Sequence, residues 1–463
     1  MRWVGLAIIL LSLPVFIAML GQFRARRDLA VLAIGVLLFC VGHISPSAAV
    51  YVWPGWYGIS KGISLSFIDS LALALLVTRP PARYRISFVP LIAVYLLTIA
   101  VSLVFADNRV AGAFVAAQGA QLALLFVALA GELQRPTAVR SLLKGLALGL
   151  LIQAAYVVRE KLGGMVQSSG TFEHQNVLGL AVELSVLPMI AAVLEGERSK
   201  LIYAGIAAGA ICVAGGGSRG TMGFVAMGAV LVVVGSVIRR GSRRKWQMVG
   251  LGAAGAIVAG SLAFATLTER FGKASFDTAE TARSALAEAA RNMAADHPFV
   301  GVGANNFVIA NNVGRYIDRT GFALTEATRR QPAHNAYLVT RAERGFPGEV
   351  ALILLLGGMA TGALLTAFKY RRSAYAGIGL GASGAILSVS LHSNYEYALL
   401  TTNVLSLLFV IGGLISGLRV VAAREVAVPT VPPSQQKSAV ARRQAKRGDV
   451  PPSIPEAVRE TKP

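Results

Sequence analysis

The sequence HPFVGVGANNF at residues 297–307 lies in a polar stretch, residues 268–347, that interrupts a chain otherwise built from long apolar runs. HNAYL follows in the same stretch at residues 334–338. Lipid offers no partners to exposed peptide groups, so a long polar segment that lacks the apolar pattern of a spanning helix does not cross a bilayer. We therefore expect residues 268–347 to lie outside the membrane and to hold the chemistry.

The rest of the chain has the composition of a multi-pass membrane protein. Of its 463 residues, 55% are hydrophobic and 14% are charged, and the mean hydropathy is +0.61, which is too apolar for a soluble domain of this length. We predict an all-α fold over residues 1–424, followed by a disordered basic, proline-rich tail at residues 425–463. The apolar runs that predict spanning helices number thirteen, at 3–21, 29–44, 63–78, 87–105, 112–131, 141–158, 176–194, 200–215, 220–238, 248–267, 349–368, 375–391 and 399–418.

The net charge of +21 comes from short clusters of Arg and Lys between the apolar runs, where they act as topology signals and contact anionic lipid head groups. This distribution argues against nucleic acid as a partner. Basic clusters occupy alternate loops, so the positive-inside rule predicts that the N-terminus and residues 268–347 face outward and that the tail is cytoplasmic. Cys40 and Cys212 both fall inside apolar runs and offer neither a disulfide framework nor a cysteine metal site.

Two short motifs at the predicted outer face have the character of anion sites. GTFEHQN at residues 170–176 opens a helix that Thr171 is expected to cap, and a helix N-terminus binds anions; a polar cap with nothing bound is the alternative. GGGSRG at residues 215–220 places Arg219 at the start of the next helix, where the helix dipole and the guanidinium favour phosphate. A merely snorkelling Arg219 is the alternative, and we favour anion binding because of the preceding glycines.

The polar stretch itself offers an arginine and a histidine. Residues 282–297 have apolar positions at helical spacing and predict an amphipathic helix with Arg283 in its first turn. His334 has the reference pKa of about 6.5 that suits a general base near neutral pH. A single histidine is more often structural, so the surrounding pattern has to decide.

That pattern resembles the O-antigen ligase and O-antigen polymerase superfamily over residues 165–360. Each motif is weak alone, but their order is specific. In chain order the motifs are Gly170-Thr171-Phe172 with Asn176, then Ser218-Arg219-Gly220, then Arg283 fifteen residues before Pro298, then Gly301-Val302-Gly303 with Asn306-Phe307, then His334-Asn335-Ala336-Tyr337-Leu338, and Glu343-Arg344-Gly345 with Gly348.

The resemblance implies a multi-pass glycosyltransferase of the bacterial inner membrane, with a GT-C-like helical fold of about twelve or thirteen spans and a long periplasmic loop. It implies transfer of a glycan from an undecaprenyl-diphosphate carrier to an acceptor hydroxyl. The acceptor is lipid A-core for a ligase and a second lipid-linked glycan for a polymerase, and the residues do not separate the two. The implied partners are therefore the lipid-linked donor, one of these acceptors and membrane lipids, with no cofactor.

The family's loop histidine falls on His334, and its arginines fall on Arg219 and Arg283. Chemistry assigns matching roles, because the attack needs a base and the departing diphosphate needs positive charge. Glu343 either orients the imidazole or anchors the loop. No metal is required, although Glu173-His174 leaves one opening for it. The residues we predict to bind substrate are Thr171, Asn176, Ser218, Asn306, Asn335, Tyr337 and Glu343.

The alternative function is a polyprenyl-linked glycan flippase or transporter, which would also use many helices and charged groups near membrane depth. Transporters commonly show inverted repeats and broken helices near the bilayer midplane. We find neither pattern in the sequence, and the order of the motifs favours the enzyme.

Overall fold

The structure is a computed structural model that describes residues 2–81, 84–250, 252–253, 276–323 and 325–427. Within these residues it is a helical bundle with one small antiparallel hairpin of strands β1 (Ser47–Val52) and β2 (Gly62–Ser66). The helices are α1 (Arg2–Gln22), α2 (Arg24–Leu37), α3 (Phe67–Val77), α4 (Val89–Phe105), α5 (Arg109–Glu132), α6 (Pro136–Leu162), α7 (Gln175–Leu194), α8 (Lys200–Gly216), α9 (Arg219–Arg239), α10 (Phe276–Asp296), α11 (Phe307–Asn312), α12 (Glu326–Arg329), α13 (Ala336–Lys369), α14 (Ala374–His392) and α15 (Thr402–Ala427).

The predicted all-α membrane fold is confirmed. In the described part of the chain, eight helices are long and apolar enough to cross a membrane, namely α1, α5, α6, α7, α9, α13, α14 and α15. Helices α3, α4 and α8 are apolar but shorter. The predicted run at 248–267 lies almost wholly outside the described residues, and so does the predicted tail beyond residue 427.

Two of the predicted runs have a different structure. The run at 29–44 is interrupted, because α2 ends at Leu37 and a short 3₁₀ helix occupies Gly42–Ile44. The run at 63–78 begins as strand β2, and α3 starts only after Ser66. Ser66 caps that helix, since Asp69 Oδ2 accepts a hydrogen bond from Ser66 N at 2.8 Å while Ser66 Oγ accepts one from Asp69 N at 3.4 Å. A capping box of this kind fixes where a helix begins.

Basic side chains tie together one end of the bundle, which we call the basic end. Arg27 forms a buried ion pair with Glu132 and donates to Thr78 O at 3.1 Å. Arg239 and Lys245 bind Glu195 at 3.1 and 2.7 Å. The loops of the opposite end, which we call the site end, include the β hairpin, residues 163–174, residues 297–335 and residues 393–401. The two sets of loops distinguished in the sequence therefore lie at opposite ends of the bundle.

Helix α7 lies at the centre of the bundle. It is apolar on all sides and almost wholly buried, as expected for a helix surrounded by other helices. It packs against α8, α9, α14 and α15. Side chains that project from α7 can therefore reach several of the helices that end at the site end.

Helix α13 is kinked near its start. Gly345 has a left-handed φ of 67°, and Pro347 follows it within the helix. In an unbroken helix the carbonyl of Glu343 would accept a hydrogen bond from residue 347, but proline has no N–H. The left-handed residue also turns the chain away from the carbonyl of Ala342. The kink therefore leaves two helix carbonyls without their usual donors.

The quoted turn at residues 297–307 supplies the missing hydrogen bonds. The three bonds are Val302 N to Ala342 O at 2.9 Å, Gly303 N to Glu343 O at 3.0 Å, and Phe346 N to Pro298 O at 2.7 Å. Such close approach requires glycine, because a Cβ added to Gly301 would lie 2.2 Å from the backbone carbon of Glu343. The turn thus locks the first part of α13, the segment that follows His334, onto the rest of the fold.

Replacement of Gly301 by alanine should destabilise the protein more than the same change at Gly321. Both residues have a left-handed φ, of 67° and 71°, which costs a non-glycine residue about 1–2 kcal/mol. Only Gly301 also meets helix backbone, whereas a Cβ at Gly321 has nothing within 4 Å. Thermal unfolding of both purified variants measures the difference. Equal losses of stability would contradict the role given to the turn.

Candidate functional site

His334 is held at the start of α13 by a cap and by a neighbouring loop. Asn335 caps the helix, since its Oδ1 accepts from the backbone N–H groups of Tyr337 and Leu338, each at 2.9 Å. The same segment is joined to the last turn of α14 and to the loop that follows it. The three bonds are Ala336 N to Ser393 O at 2.9 Å, Asn335 Nδ2 to Asn394 O at 3.0 Å, and Tyr337 Oη to Ser390 O at 2.8 Å. Two of the predicted binding residues, Asn335 and Tyr337, therefore fix the position of His334.

The loop after α14 places a carboxylate against His334. His334 Nδ1 lies 3.3 Å from Glu396 Oε2, and Asn176 Nδ2 donates to the other carboxylate oxygen. The Glu396 side chain is 7% exposed, whereas the His334 side chain is 15% exposed. Asn176 comes from the first turn of α7, so three separate parts of the chain meet at this carboxylate.

Charge also converges on Glu396. Burial by itself would raise the pKa of this carboxyl, but the hydrogen bond from His334 and the positive charges of His334, His174 and Arg283 together lower it below its ordinary value. Glu396 is therefore ionised at neutral pH. A carboxylate only accepts hydrogen bonds, so His334 Nδ1 carries the proton in the bond to Glu396.

Two further groups complete the surroundings of the imidazole. His334 Nε2 lies 3.1 Å from Oε1 of Gln331, which is an exposed residue. The ring of Tyr397 packs edge-on against the His334 ring with centroids 5.6 Å apart. Burial, with the nearby charges of Glu396 and Glu173, raises the pKa of Tyr397 to about 12, so its phenol stays neutral.

Arg219 lies at the start of a helix, whereas Arg283 does not. The predicted amphipathic helix at 282–297 is observed as Phe276–Asp296, and Arg283 is exposed on it. The prediction that Arg283 lies in the first turn was wrong, because the helix already includes Phe276, two turns before the arginine. Arg219 is the first residue of α9, and Ser218 caps that helix by accepting from Thr221 N at 3.4 Å. Arg219 is exposed while Ser218 is buried, so the arginine projects from a fixed helix end.

Three other predicted binding residues hold the surrounding loops. The prediction that Thr171 caps α7 was wrong, because the N-cap is His174. Thr171 Oγ1 instead accepts a hydrogen bond from Gln153 Nε2 at 2.7 Å. Asn306 is 1% exposed, with Oδ1 accepting from Asn108 N at 3.0 Å and Nδ2 donating to Asn108 O at 3.1 Å. Glu343 Oε1 accepts from Phe307 N at 3.1 Å, which is the loop-anchoring role left open by the sequence.

The pair Glu173-His174, which left an opening for a metal, takes part in other contacts. Glu173 forms an exposed ion pair with Lys61 at 3.0 Å, and His174 Nδ1 accepts from Asn176 N at 3.2 Å. The described residues contain no cluster of three His, Cys, Asp or Glu side chains with the geometry of a metal site.

Sequence reasoning missed Glu396. It lies in a short loop, His392-Ser393-Asn394-Tyr395-Glu396-Tyr397, between two apolar runs. An ionisable residue in so short a loop is a signal that was available. Its pairing with a histidine 62 positions earlier in the chain depends on how α13 and α14 pack, and the sequence pattern does not show that.

Fold and site together define a multi-pass helical membrane protein with a carboxylate-supported histidine and exposed arginines at one end of its bundle. A family model described as O-antigen ligase matches residues 204–353, from within α8 to within α13. This match supports the O-antigen ligase and polymerase superfamily, a family of glycosyl-transferring membrane enzymes. A search of curated proteins finds no match.

Replacement of His334 by alanine should make the fold more sensitive to acid. The lowered pKa of Glu396 contributes stability that is fully present above the unfolded carboxyl pKa of about 4.3 and is lost as the pH falls through the folded pKa. Without His334, the hydrogen bond and charge that counteract the effect of burial on Glu396 are reduced. The pKa of Glu396 in the folded protein therefore rises, and stability is lost at a higher pH. Thermal unfolding at about pH 3–6 measures the shift.

The matched control is His43→Ala, which removes an exposed histidine from another loop of the site end. An acid profile of His334→Ala that coincides with the profile of His43→Ala would show that the His334–Glu396 pair does not set the Glu396 pKa.

Proposed function

We propose that the protein transfers a glycan from an undecaprenyl-diphosphate carrier to a sugar hydroxyl at the periplasmic face of the bacterial inner membrane. The observation that carries the proposal is the cluster in which Glu396 bonds to His334 and Asn176 within the field of Arg283. The positive-inside rule supports a cytoplasmic location for the basic end of the bundle. The proposal therefore puts the site end and the polar stretch in the periplasm and the C-terminal tail in the cytoplasm.

His334 is the general base. With Nδ1 donating to Glu396, its Nε2 accepts the proton of the acceptor hydroxyl as the hydroxyl oxygen attacks the anomeric carbon. The entering hydroxyl displaces Gln331 from Nε2. Glu396 acts as a positioning residue, because it fixes the tautomer and then stabilises the imidazolium that forms.

Arg219 and Arg283 bind the departing diphosphate. The bond between the anomeric carbon and the diphosphate oxygen breaks as the new glycosidic bond forms, and negative charge builds up on the leaving group. Guanidinium groups bind phosphate with two parallel hydrogen bonds, a geometry that lysine does not reproduce. Diphosphate is already a good leaving group, so no acid and no metal is required. A single displacement of this kind inverts the anomeric carbon.

The test of the proposed function is reconstitution of the purified protein with an undecaprenyl-diphosphate-linked repeat unit, with and without lipid A-core. Chain growth without lipid A-core indicates a polymerase, and transfer that depends on lipid A-core indicates a ligase. Movement of the lipid-linked glycan between leaflets with no joining of sugars would overturn the proposal in favour of a flippase.

In this assay His334→Ala should lower the rate of glycan transfer by about 10²–10⁴-fold, the usual contribution of a general base. The control is His297→Ala, an exposed histidine directly after α10, which should retain the wild-type rate. Product length and yield unchanged in His334→Ala, with equal protein in the membrane, would exclude His334 as the base.

Arg283→Lys should lower kcat/KM for the donor by about 10- to 100-fold, because it keeps the charge but loses the two-pronged contact with phosphate. Arg291→Lys is the matched control, since Arg291 is an exposed arginine two turns further along α10. If the two variants have equal kinetics, Arg283 does not bind the diphosphate.

A further inference from the structure

A second carboxylate and histidine form a pair deeper in the bundle. His392 Nδ1 lies 2.7 Å from Glu183 Oε1, and Ser388 Oγ donates to Glu183 Oε2 at 2.8 Å. Glu183 is on α7, and the other two residues are on α14. Glu183 is 0% exposed and His392 is 1% exposed. Ionisable groups buried in a membrane bundle are costly and commonly have a function.

Stability alone does not explain this pair. Well-packed apolar side chains of similar volume join helices as well as a buried ion pair does, and often better. Leu and Ala side chains already pack α7 against its neighbours over most of its length. The function of the pair therefore has to be sought in what the remaining atoms of His392 contact.

The edge of the His392 imidazole that carries Nε2, opposite the nitrogen bonded to Glu183, faces the first turn of α9. The His392 ring stacks on Phe224 of α9, with centroids 4.9 Å apart and an interplanar angle of 25°. Its Nε2 points to Gly220, where an added Cβ would lie 2.9 Å away. Since Glu183 holds the other ring nitrogen, the imidazole can neither turn nor withdraw from this helix end.

The opposite side of the same turn packs on α7. Thr221 is 2% exposed, and a Cβ added to Gly179 would lie 2.0 Å from Thr221 Oγ1. Gly220 and Thr221 are thus held between α14 and α7. They directly follow Arg219, and the buried Ser218 precedes it. The backbone on both sides of the arginine is fixed, while its side chain is exposed.

We propose that His392, oriented by Glu183, is a positioning residue that holds Arg219 against the diphosphate of the lipid-linked donor. Its role at the leaving group matches the role of Glu396 at the base. A phosphate-binding arginine contributes fully only when its own support is rigid. This inference rests on the proposed function, because it takes Arg219 to bind diphosphate.

The experiment compares binding of two lipids to the full-length protein in phospholipid nanodiscs. Undecaprenyl diphosphate and undecaprenol share the same tail, so the ratio of their dissociation constants reports recognition of the diphosphate alone. A general loss of structure would weaken both lipids together, and a displaced Arg219 would change only the ratio. We expect His392→Leu to reduce the preference for undecaprenyl diphosphate about tenfold, the scale of a lost charge-assisted hydrogen bond.

Two variants test whether the hydrogen bond to Glu183 is the cause. His392→Gln keeps a donor for Glu183 and should restore most of the preference. Ser383→Ala is the matched control, since Ser383 is a buried hydroxyl of α14 that donates to Ala360 O at 3.0 Å. It should leave the preference unchanged. In the Arg219→Ala background, His392→Leu should have no further effect, because residues that act through one another are not additive.

Gly220→Ala provides an independent test if His392→Leu does not fold. It leaves the Glu183–His392 pair chemically intact but adds a Cβ at 2.9 Å from Nε2, and it should reduce the preference as well. An unchanged preference in His392→Leu or Gly220→Ala, or independent effects of Arg219→Ala and His392→Leu, would overturn this inference alone. A wild-type protein without preference for the diphosphate would overturn the function proposed for Arg219, and this inference with it.

Discussion

The site depends on the exchange of hydrogen bonds at the kink of α13. Proline at 347 and the left-handed Gly345 remove donors from the carbonyls of Ala342 and Glu343, and buried carbonyls need replacements. The turn at 298–303 provides them from its own backbone. A break in a membrane helix, which would otherwise be a defect, thereby becomes the joint that fixes the polar stretch to the bundle. The short arm of α13 before the kink then carries Asn335, and with it His334, to a defined place.

Helix α7 provides the common reference for both histidines. Near its N-terminus Asn176 bonds to Glu396, the partner of His334. Two turns further along, Glu183 bonds to His392. Both pairs join α7 to the end of α14 or to the loop that follows it. Because α7 is buried on all sides, displacement of either pair would require the helices around it to move. The arrangement therefore suits groups that must stay aligned over many reaction cycles.

The sequence predicted the elements whose signals are local. Thirteen apolar runs indicated a membrane bundle, helical spacing indicated the amphipathic helix, and GGGSRG indicated that a helix begins at Arg219; the structure agrees on each point that lies in its described part. The errors arose where local pattern and tertiary contact compete. The apolar run at 63–78 begins as strand β2, because these residues pair with residues 47–52. Thr171 does not cap α7, because its side chain is bonded to Gln153 of α6. The sequence did not identify Glu396 and His392, because the partner of each residue lies far away in the chain. Glu396 bonds to His334, and His392 bonds to Glu183.

Electrostatics couples the base to the leaving-group site under the proposed function. Burial of the Glu396 carboxyl would raise its pKa, but the hydrogen bond from His334 and the charges of His334, His174 and Arg283 together lower it. Glu396 therefore links the side chain proposed as the base to an arginine proposed to bind the diphosphate. A donor diphosphate bound by Arg283 would add negative charge and cancel part of the field of that arginine at Glu396. The carboxylate then depends more on its hydrogen bond with His334, so the contact that positions the imidazole is strongest when there is an anomeric carbon for the acceptor hydroxyl to attack.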